Sequence, residues 1–205
     1  MRLQSMIEFK KFSSIPRLSK DMIITEKLDG TNAQIFIAKE DEIEFNERDK
    51  SPFYKTGVDD LYIAAGSRNR WLNLDADNYG FCSWVVNNAQ ELVKIGHGRY
   101  YGEWWGQGIQ HGYNLKEKRF WLFNPDQSNY LDLPRHIGVD VVPTLYKGPF
   151  CTKTIERVME NLKESGSIAA PGYMNPEGII IYHTGSGQTF KKTFNFDKGK
   201  WNQDV

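Results

Sequence analysis

Short apolar runs rich in β-branched and aromatic residues recur along the chain, and they limit the fold to one built mainly from β-strands. Each run has the length and the side chains of a strand rather than those of a helix. The segment HTGSGQT (183–189), between the last two runs, has the composition of a hairpin turn. The runs occupy residues 22–24, 33–38, 61–65, 99–105, 120–123, 137–142, 178–182 and 190–194.

Two segments have the apolar spacing of amphipathic helices instead. They are NYGFCSWVVNNAQELVKIG (78–96) and CTKTIERVMENLKESG (151–166), and each ends at a glycine. Many strands with a few helices predict an α+β protein with largely antiparallel sheets and flanking helices. The residues predicted to share one helix face are Phe81, Trp84, Val85, Asn88 and Leu92 in the first segment, and Ile155, Val158, Met159 and Leu162 in the second.

The charge balance excludes a protein whose whole surface attracts nucleic acid. Lys+Arg and Asp+Glu each total 26 in 205 residues, so a nucleic-acid site must rest on a local cluster of positive charge. Neither Cys82 nor Cys151 belongs to a CxxC or Cys/His metal pattern, which favours a reducing compartment. No segment has the ~20 apolar residues of a membrane helix. We therefore expect a cytoplasmic protein without membrane contact, or one in a host cytoplasm if the source is a virus.

The segment ITEKLDGTN (24–32) places Lys27 between Glu26 and Asp29, just before a glycine and two small polar residues. KLDG has the form KxDG, a pattern too short to be diagnostic on its own. Taken alone, it is as well explained by a solvated lysine at a strand end followed by a turn glycine. Motifs further along the chain must decide between that interpretation and a nucleophilic lysine.

Five later motifs follow in order: GSRN with Arg68, YYGEWWG with Glu103, RFWLF with Phe120, PEGIIIY with Glu177, and FKKTF with Lys191 and Lys192. With EKLDGTN, this set resembles the motifs of the covalent nucleotidyltransferases, the superfamily of ATP-dependent DNA and RNA ligases and mRNA capping enzymes. EKLDGTN, YGEWWG and EGIIIYH resemble the RNA ligases of the RNA ligase 2 type. The resemblance covers residues 23–194.

The resemblance implies an ATP-grasp-like fold in which two sheets form a nucleotide cleft with Lys27 at its floor. It also implies ATP-dependent RNA ligation: Lys27 takes AMP from ATP, the AMP passes to an RNA 5′-phosphate, and a 3′-hydroxyl displaces it and seals the strand. A lysine amine attacks phosphorus only when neutral, and its ordinary pKa is about 10.4. Nearby cations, such as Lys191 or Lys192, Arg68 or a bound metal, favour the neutral form.

The resemblance also implies roles for the charged residues. Glu103 and Glu177 would hold the ATP ribose and a divalent metal, Mg²⁺ or Mn²⁺, with Glu177 the better metal ligand. Arg68 would contact ribose or the incoming phosphate, and Lys191 the α-phosphate. The family's two lysines are spaced KxK, whereas Lys191 and Lys192 are adjacent, so the assignment of one contact stays open. If the phenylalanines of FKKTF face the core, Lys191 faces the cleft.

Three more residues would contact the adenosine or the RNA end. By resemblance, Glu26 would reach adenine, Asn32 the 5′-phosphate end, and Phe120 would stack on the adenine ring. Phe120 lies on the opposite strand face from Trp121 and Phe123, so a shift of one residue would change the stacking ring.

Three functions remain open. The first is an RNA ligase acting on 5′-phosphate and 3′-hydroxyl ends, with a nicked duplex as one substrate option and an accessory protein as a source of RNA-binding surface. The second is a nick-sealing DNA ligase or a capping guanylyltransferase, whose families usually carry a C-terminal OB domain. The third is a catalytically idle nucleotide- or RNA-binding module, against which the intact Lys27 argues. We expect one nucleotidyltransferase domain over residues 1–205, without a C-terminal OB or helical domain.

Overall fold

The chain forms two β-sheets flanked by helices in a computed structural model that describes residues 9–43, 52–123 and 132–194. The elements within these ranges are β1 (Asp21–Lys27), β2 (Thr31–Lys39), β3 (Phe53–Lys55), β4 (Leu61–Ser67), α1 (Phe81–Asn87), α2 (Ala89–Leu92), β5 (Gly98–Gly106), β6 (Lys118–Leu122), β7 (Val139–Val141), β8 (Thr144–Pro149), α3 (Thr152–Ser165), β9 (Gly178–His183) and β10 (Gln188–Thr193).

The strands are arranged as a four-stranded sheet, in the order β10-β9-β1-β8, and a six-stranded sheet, in the order β3-β4-β2-β5-β6-β7. Neighbouring strands are antiparallel except for β6 and β7, which are parallel. This arrangement confirms the predicted α+β class with largely antiparallel sheets. The hairpin turn predicted at 183–189 joins β9 to β10.

Each sheet has one face covered by helices. Helix α3 packs on the four-stranded sheet, where Met22 and Ile24 of β1 are fully buried against it. Helices α1 and α2 cover the six-stranded sheet around the buried Phe81. The opposite faces of the two sheets border a common cavity, to which Ile180 and Tyr101 contribute. The site predicted from the sequence lies in this cleft.

The first predicted helix is interrupted. The backbone leaves helical geometry at Asn88, with φ −112° and ψ 16°, and the Asn88 side chain donates a hydrogen bond to the Trp84 carbonyl oxygen at 2.8 Å. An asparagine that bonds local backbone competes with helix continuation, which explains the break between α1 and α2. The second predicted helix ends at Gly166 as expected. No described helix is long and apolar enough to cross a bilayer.

Candidate active site

Lys27 lies at the junction of the two sheets. Strand β1 ends at this residue in the four-stranded sheet, and β2 begins at Thr31 in the six-stranded sheet. Leu28, between them, is buried in an apolar cluster. A Cβ at Gly30 would lie 2.5 Å from the Trp104 carbonyl oxygen, so the loop needs glycine to pass this close to β5. The KLDG sequence thus holds Lys27 at the floor of the cleft.

Asp29 anchors the same loop through both its backbone and its side chain. Its backbone N–H donates a hydrogen bond to Tyr113 Oη at 2.8 Å, and its carboxylate contacts Nδ1 of His111. Burial raises the pKa of the Tyr113 phenol, so the hydroxyl stays neutral at physiological pH. The aspartate of the KxDG pattern therefore fixes the loop that carries Lys27.

Glu177 is the partner of Lys27 in this structure. The Lys27 ammonium donates a hydrogen bond to Glu177 Oε2, and the two side chains are 22% and 26% exposed. Strand pairing brings them together, because Lys27 is opposite Gly178 in the β1–β9 register. The direct contact of Lys27 is thus with a carboxylate, and Arg68, one of the cations expected near it, lines the same cavities as Lys27.

The six-stranded sheet supplies Asn32, Arg68 and Glu103. Asn32 of β2 is paired with Glu103 of β5, so both side chains point into the cleft from the same face. Arg68 directly follows β4, whose Ser67 is paired with Ala33. The structure therefore brings these three predicted residues together with Lys27 and Glu177, which come from the other sheet.

Two cavities meet at these residues. The larger, of about 770 Å³, lies between the sheets and is bordered by aromatic and apolar side chains as well as polar ones. The smaller, of about 430 Å³, is lined almost wholly by polar side chains, Arg70 and Asn78 among them. A ligand in either cavity would have its end beside the same groups. The residues that line both cavities are Lys27, Asn32, Arg68 and Glu103.

Glu103 has a perturbed acidity. Burial raises the pKa of its carboxyl to about 7, although the positive charge of Lys27 opposes the rise, and the neighbouring Glu177 carboxylate adds to it. A carboxyl with this pKa can hold or release a proton near neutral pH. Such groups occur at functional sites more often than elsewhere.

We predict that Glu103→Gln stabilises the metal-free protein at pH 8 but not at pH 4.5. The carboxyl binds its proton more tightly in the folded state, so its stabilising contribution is complete below pH 4.5 and is lost as the pH rises through about 7. A rise in pKa from 4.5 to about 7 corresponds to roughly 3 kcal/mol. Urea unfolding in EDTA at both pH values measures the difference, with the exposed Glu160→Gln on α3 as the control. An effect of Glu103→Gln that is equal at both pH values would contradict the assignment.

The donor atoms at the site fit a hard divalent cation that is shared with a phosphate ligand. Within residues 9–43, 52–123 and 132–194, no group of three or more His, Cys, Asp or Glu side chains forms a complete metal site. Glu103 and Glu177 nevertheless lie close enough for their charges to interact across Lys27. Mg²⁺ is commonly bound by one or two carboxylates together with substrate phosphates. Two carboxylates at this site are therefore enough protein ligands for such an ion.

The two adjacent lysines of β10 point in opposite directions. Lys191 is paired with Ile180, which lines the larger cavity, and Lys192 with Ile179, which is buried under α3. Paired residues of antiparallel strands share a face, so Lys191 faces the cleft. Lys192 was also predicted to be catalytic, but the structure places it on the opposite face of the sheet.

Glu26, which the resemblance assigns to adenine, already has hydrogen-bond partners within the protein. It borders the larger cavity, but its buried carboxylate accepts hydrogen bonds from Ser167 Oγ and from the backbone N–H groups of Ile168 and Ala169. Burial raises the pKa of this carboxyl. Glu26 thereby fixes the loop before β9 against the strand that ends in Lys27.

Phe120 does not reach the cleft, contrary to the prediction that it stacks on adenine. Its ring is fully buried, with its centroid 5.1 Å from that of Phe81, on the helix-covered face of the six-stranded sheet. Trp121 on the other face is packed edge-on against the buried Trp105. Phe123 lines the larger cavity and is 39% exposed. In this segment, the ring available for stacking is therefore Phe123, three residues after Phe120.

Several cavity residues were not singled out from the sequence. Tyr101 and Tyr182 line the larger cavity from opposite sheets, and Arg70 and Asn78 line the smaller one. Alternation along YYGEWWG could have identified Tyr101, which must share a strand face with Glu103. Arg70 forms with Arg68 one of the local clusters of positive charge in the sequence, but no such signal marks Asn78, which lies in the irregular segment between β4 and α1.

Comparison with known proteins finds a family model that matches the chain and solved structures with a similar fold. The family model described as RNA ligase matches residues 20–194. The fold is similar to that of the Naegleria gruberi RNA ligase: a mutant with ATP and Mn has a TM-score of 0.57 at 20% identity, with 85% of this chain and 49% of that chain covered. A mutant of it with AMP and Mn has a TM-score of 0.55 at 19% identity, with 86% and 50% covered. This chain thus spans about half the length of those proteins. No curated protein sequence matches it.

Proposed function

Because the chain belongs to the RNA ligase family, we propose that it joins RNA 5′-phosphate and 3′-hydroxyl ends with ATP, through AMP carried on Lys27. The observation that carries the proposal is the position of Lys27 where two cavities meet, in contact with Glu177 and beside Glu103 and Arg68. A lysine that only solvates a strand end would not be expected to lie in a cavity beside two carboxylates and an arginine. The described residues would form the nucleotidyltransferase domain.

In the first step, the Lys27 nitrogen forms a bond to the α-phosphorus of ATP. The bond from that phosphorus to its bridging oxygen breaks, and pyrophosphate leaves with the electron pair. The amine must lose a proton for this attack. Glu177, in contact with the amine, and Glu103, whose pKa is about 7, are the proton acceptors beside it. Positioning and charge neutralisation are the protein's main contributions to such a step.

In the second and third steps, the AMP group moves to RNA and is then released. A 5′-phosphate oxygen attacks the lysyl-AMP phosphorus and breaks the P–N bond, which regenerates Lys27. The RNA 3′-hydroxyl then attacks the 5′-phosphate and expels AMP. Asn32 and Arg68 border both cavities, so they are placed to contact the RNA end in one cavity and the nucleotide in the other.

A divalent cation would be held by Glu177 and Glu103. When bound, it would neutralise phosphate charge and orient the phosphates for in-line attack. The presence of Mn with ATP or AMP in structures of the Naegleria ligase supports the same chemistry for this chain.

The larger cavity suits the adenosine. Phe123 and Tyr101 offer rings on one wall, and Ile23 and Ile180 offer apolar contacts on the other. Lys191 lies on the same sheet face as Ile180 and would neutralise phosphate charge. The polar smaller cavity is then left for phosphates and the RNA end.

The test is covalent labelling with radiolabelled ATP and GTP, each with Mg²⁺. We expect ATP to label the protein and GTP to label it weakly or not at all. The labelled protein should then join nicked or single-stranded RNA ends in preference to nicked DNA. Stronger labelling by GTP would favour a capping-type activity, and faster sealing of nicked DNA would favour a DNA ligase. A protein that binds ATP without becoming labelled would be an idle binding module.

A further inference from the structure

The cleft face of the six-stranded sheet continues beyond the candidate active site as a surface of aromatic rings around an arginine. Asn32 and Phe36 of β2 share this face, because side chains alternate along a strand. The register pairs Asn32 with Glu103 and Phe36 with Arg99, so all four side chains lie on the same side of the sheet. The two pairs are four positions apart along the strand, a distance of about 13 Å.

The arginine lies between two of the rings. The guanidinium carbon of Arg99 is 4.5 Å from the ring centroid of Phe36 and 5.0 Å from that of Trp71. The ring of Phe53 completes the group, at 6.0 Å from Phe36 and 6.1 Å from Trp71. These four residues are called the aromatic platform below. Arg99 is exposed and Trp71 is 37% exposed, so a ligand can reach both.

Neighbouring residues hold the platform in place. Arg99 Nη1 donates a hydrogen bond to Gln34 Oε1 at 2.6 Å, and Gln34 Nε2 donates one to the Ser67 carbonyl oxygen at 3.1 Å. Gln34 can lie flat on β4 because residue 66 is glycine: a Cβ there would be 2.7 Å from Gln34 Cγ. The rings are thus ordered without a ligand, which lowers the entropic cost of binding one.

The platform is continuous with the site at Lys27. Arg99 lines the larger cavity together with Lys27 and Glu103. Trp71 follows Arg68 and Arg70, which line the smaller cavity. Each of the two cavities at Lys27 therefore leads to the platform, and each is lined by arginines on the way.

The charge pattern defines where a bound polyanion would end. Arg68 and Arg70 line the smaller cavity with Lys27, and Arg99 lines the larger one with it, whereas β2 runs beyond Phe36 into the acidic turn Glu40–Glu42. Lys39 and Lys55 offset part of the charge of this turn, so a phosphate chain is attracted more strongly along the arginines than at the turn. The surface suits a short single strand that leaves the active site and stops at the platform.

We propose that the aromatic platform binds the single-stranded RNA segment next to the end that reacts at Lys27. One base would stack on Trp71, and Arg99 would contact the adjacent phosphate while it remains packed on the rings. Aromatic rings bind any base through its face, and arginine combines stacking with phosphate contact. The direction of the strand rests on the proposed function, but the binding surface does not.

The test is the affinity of the protein for a fluorescent, 5′-phosphorylated single-stranded RNA, measured by anisotropy without ATP. Trp71→Ala and Arg99→Gln should each weaken binding by about 10-fold, the scale of losing one base–aromatic stack. Trp71→Phe keeps a stacking ring and should retain most of the affinity. Arg99→Gln should also reduce the salt dependence by about one phosphate contact. Arg157→Gln, an exposed arginine on α3, is the matched charge control and should bind as the wild type does.

Two readouts keep this proposal separate from the proposed function. ATP labelling of Lys27 should be unchanged in Trp71→Ala, because Trp71 lines neither of the two cavities described above. Urea unfolding should show that both platform variants fold. Unchanged RNA affinity in both Trp71→Ala and Arg99→Gln would overturn the platform, and would leave contact with another protein as the use of this surface. A wild-type protein that binds RNA through Trp71 yet never forms lysyl-AMP would instead overturn the ligase mechanism.

Discussion

Lys27→Arg is expected to form no covalent adduct with AMP, although it keeps the positive charge of the lysine. Arginine is not deprotonated at neutral pH, so its guanidinium cannot attack phosphorus. Wild-type protein with ATP and Mg²⁺ should give an adduct that is acid-labile and base-stable, as a P–N bond is. Lys27→Ala should lose the adduct as completely as Lys27→Arg, because no contact can replace a covalent link. Radiolabelled ATP and denaturing gels measure both.

A substrate RNA that already carries a 5′-adenylate distinguishes the role of Lys27 in adenylylation from the role of the other site residues in sealing. Lys27→Arg should still seal such RNA at a reduced rate, because the step that needs the amine has been bypassed. Lys94→Arg is the matched control, since Lys94 forms an exposed ion pair with Glu91 outside the cleft. If the arginine variant forms an adduct, another lysine is the nucleophile, and Lys191 is the first candidate because it faces the cleft.

Glu177→Gln is expected to lower ATP labelling by more than about 100-fold, the scale on which removal of one charge-stabilising group slows group transfer. The glutamine keeps the shape of the side chain but removes the charge that contacts Lys27 and would bind a divalent cation. The fold should persist, because both side chains are partly exposed and the glutamine amide oxygen can still accept the hydrogen bond from Lys27. Labelling rates across a Mg²⁺ titration, together with urea unfolding, measure the two effects.

The control for Glu177→Gln is Glu160→Gln, which removes one exposed carboxylate from α3. That variant should label at the wild-type rate. Wild-type labelling by Glu177→Gln at every Mg²⁺ concentration would move the metal role to Glu103 or Asp29. Glu103 is then the better choice, because the Asp29 carboxylate already contacts His111.

The site depends on contacts that local patterns do not contain. Lys27 and Glu177 are 150 residues apart in sequence, and only the pairing of β1 with β9 puts them in contact. Motif resemblance selected both residues without giving this geometry. Glu26 shows the limit of motif-based prediction, because its hydrogen-bond partners lie at 167–169, in a loop that belongs to none of the motifs.

Strand patterns identified a face only where polar and apolar residues alternate. In FKKTF, the phenylalanines identify the core side, and this correctly predicts that Lys191 faces the cleft. In RFWLF, the four residues after the arginine are all apolar, so both faces look like core and the phase of the strand is undetermined. The structure shows which face is the core side, because Phe120 is buried under α1 whereas Phe123 lines the cavity. The strand itself was correctly predicted, but the ring assigned to adenine was not.

The crossing of the chain at residues 28–30 from one sheet to the other divides the site into two mechanical halves. Lys27 and Glu177 belong to the four-stranded side, whereas Asn32, Arg68 and Glu103 belong to the six-stranded side. If the sheets rotate relative to each other, the lysine and Glu177 move as a unit, and their distances to the other three change together. Opening of the cleft would then separate Lys27 from Arg68 and Glu103 without breaking its contact with Glu177.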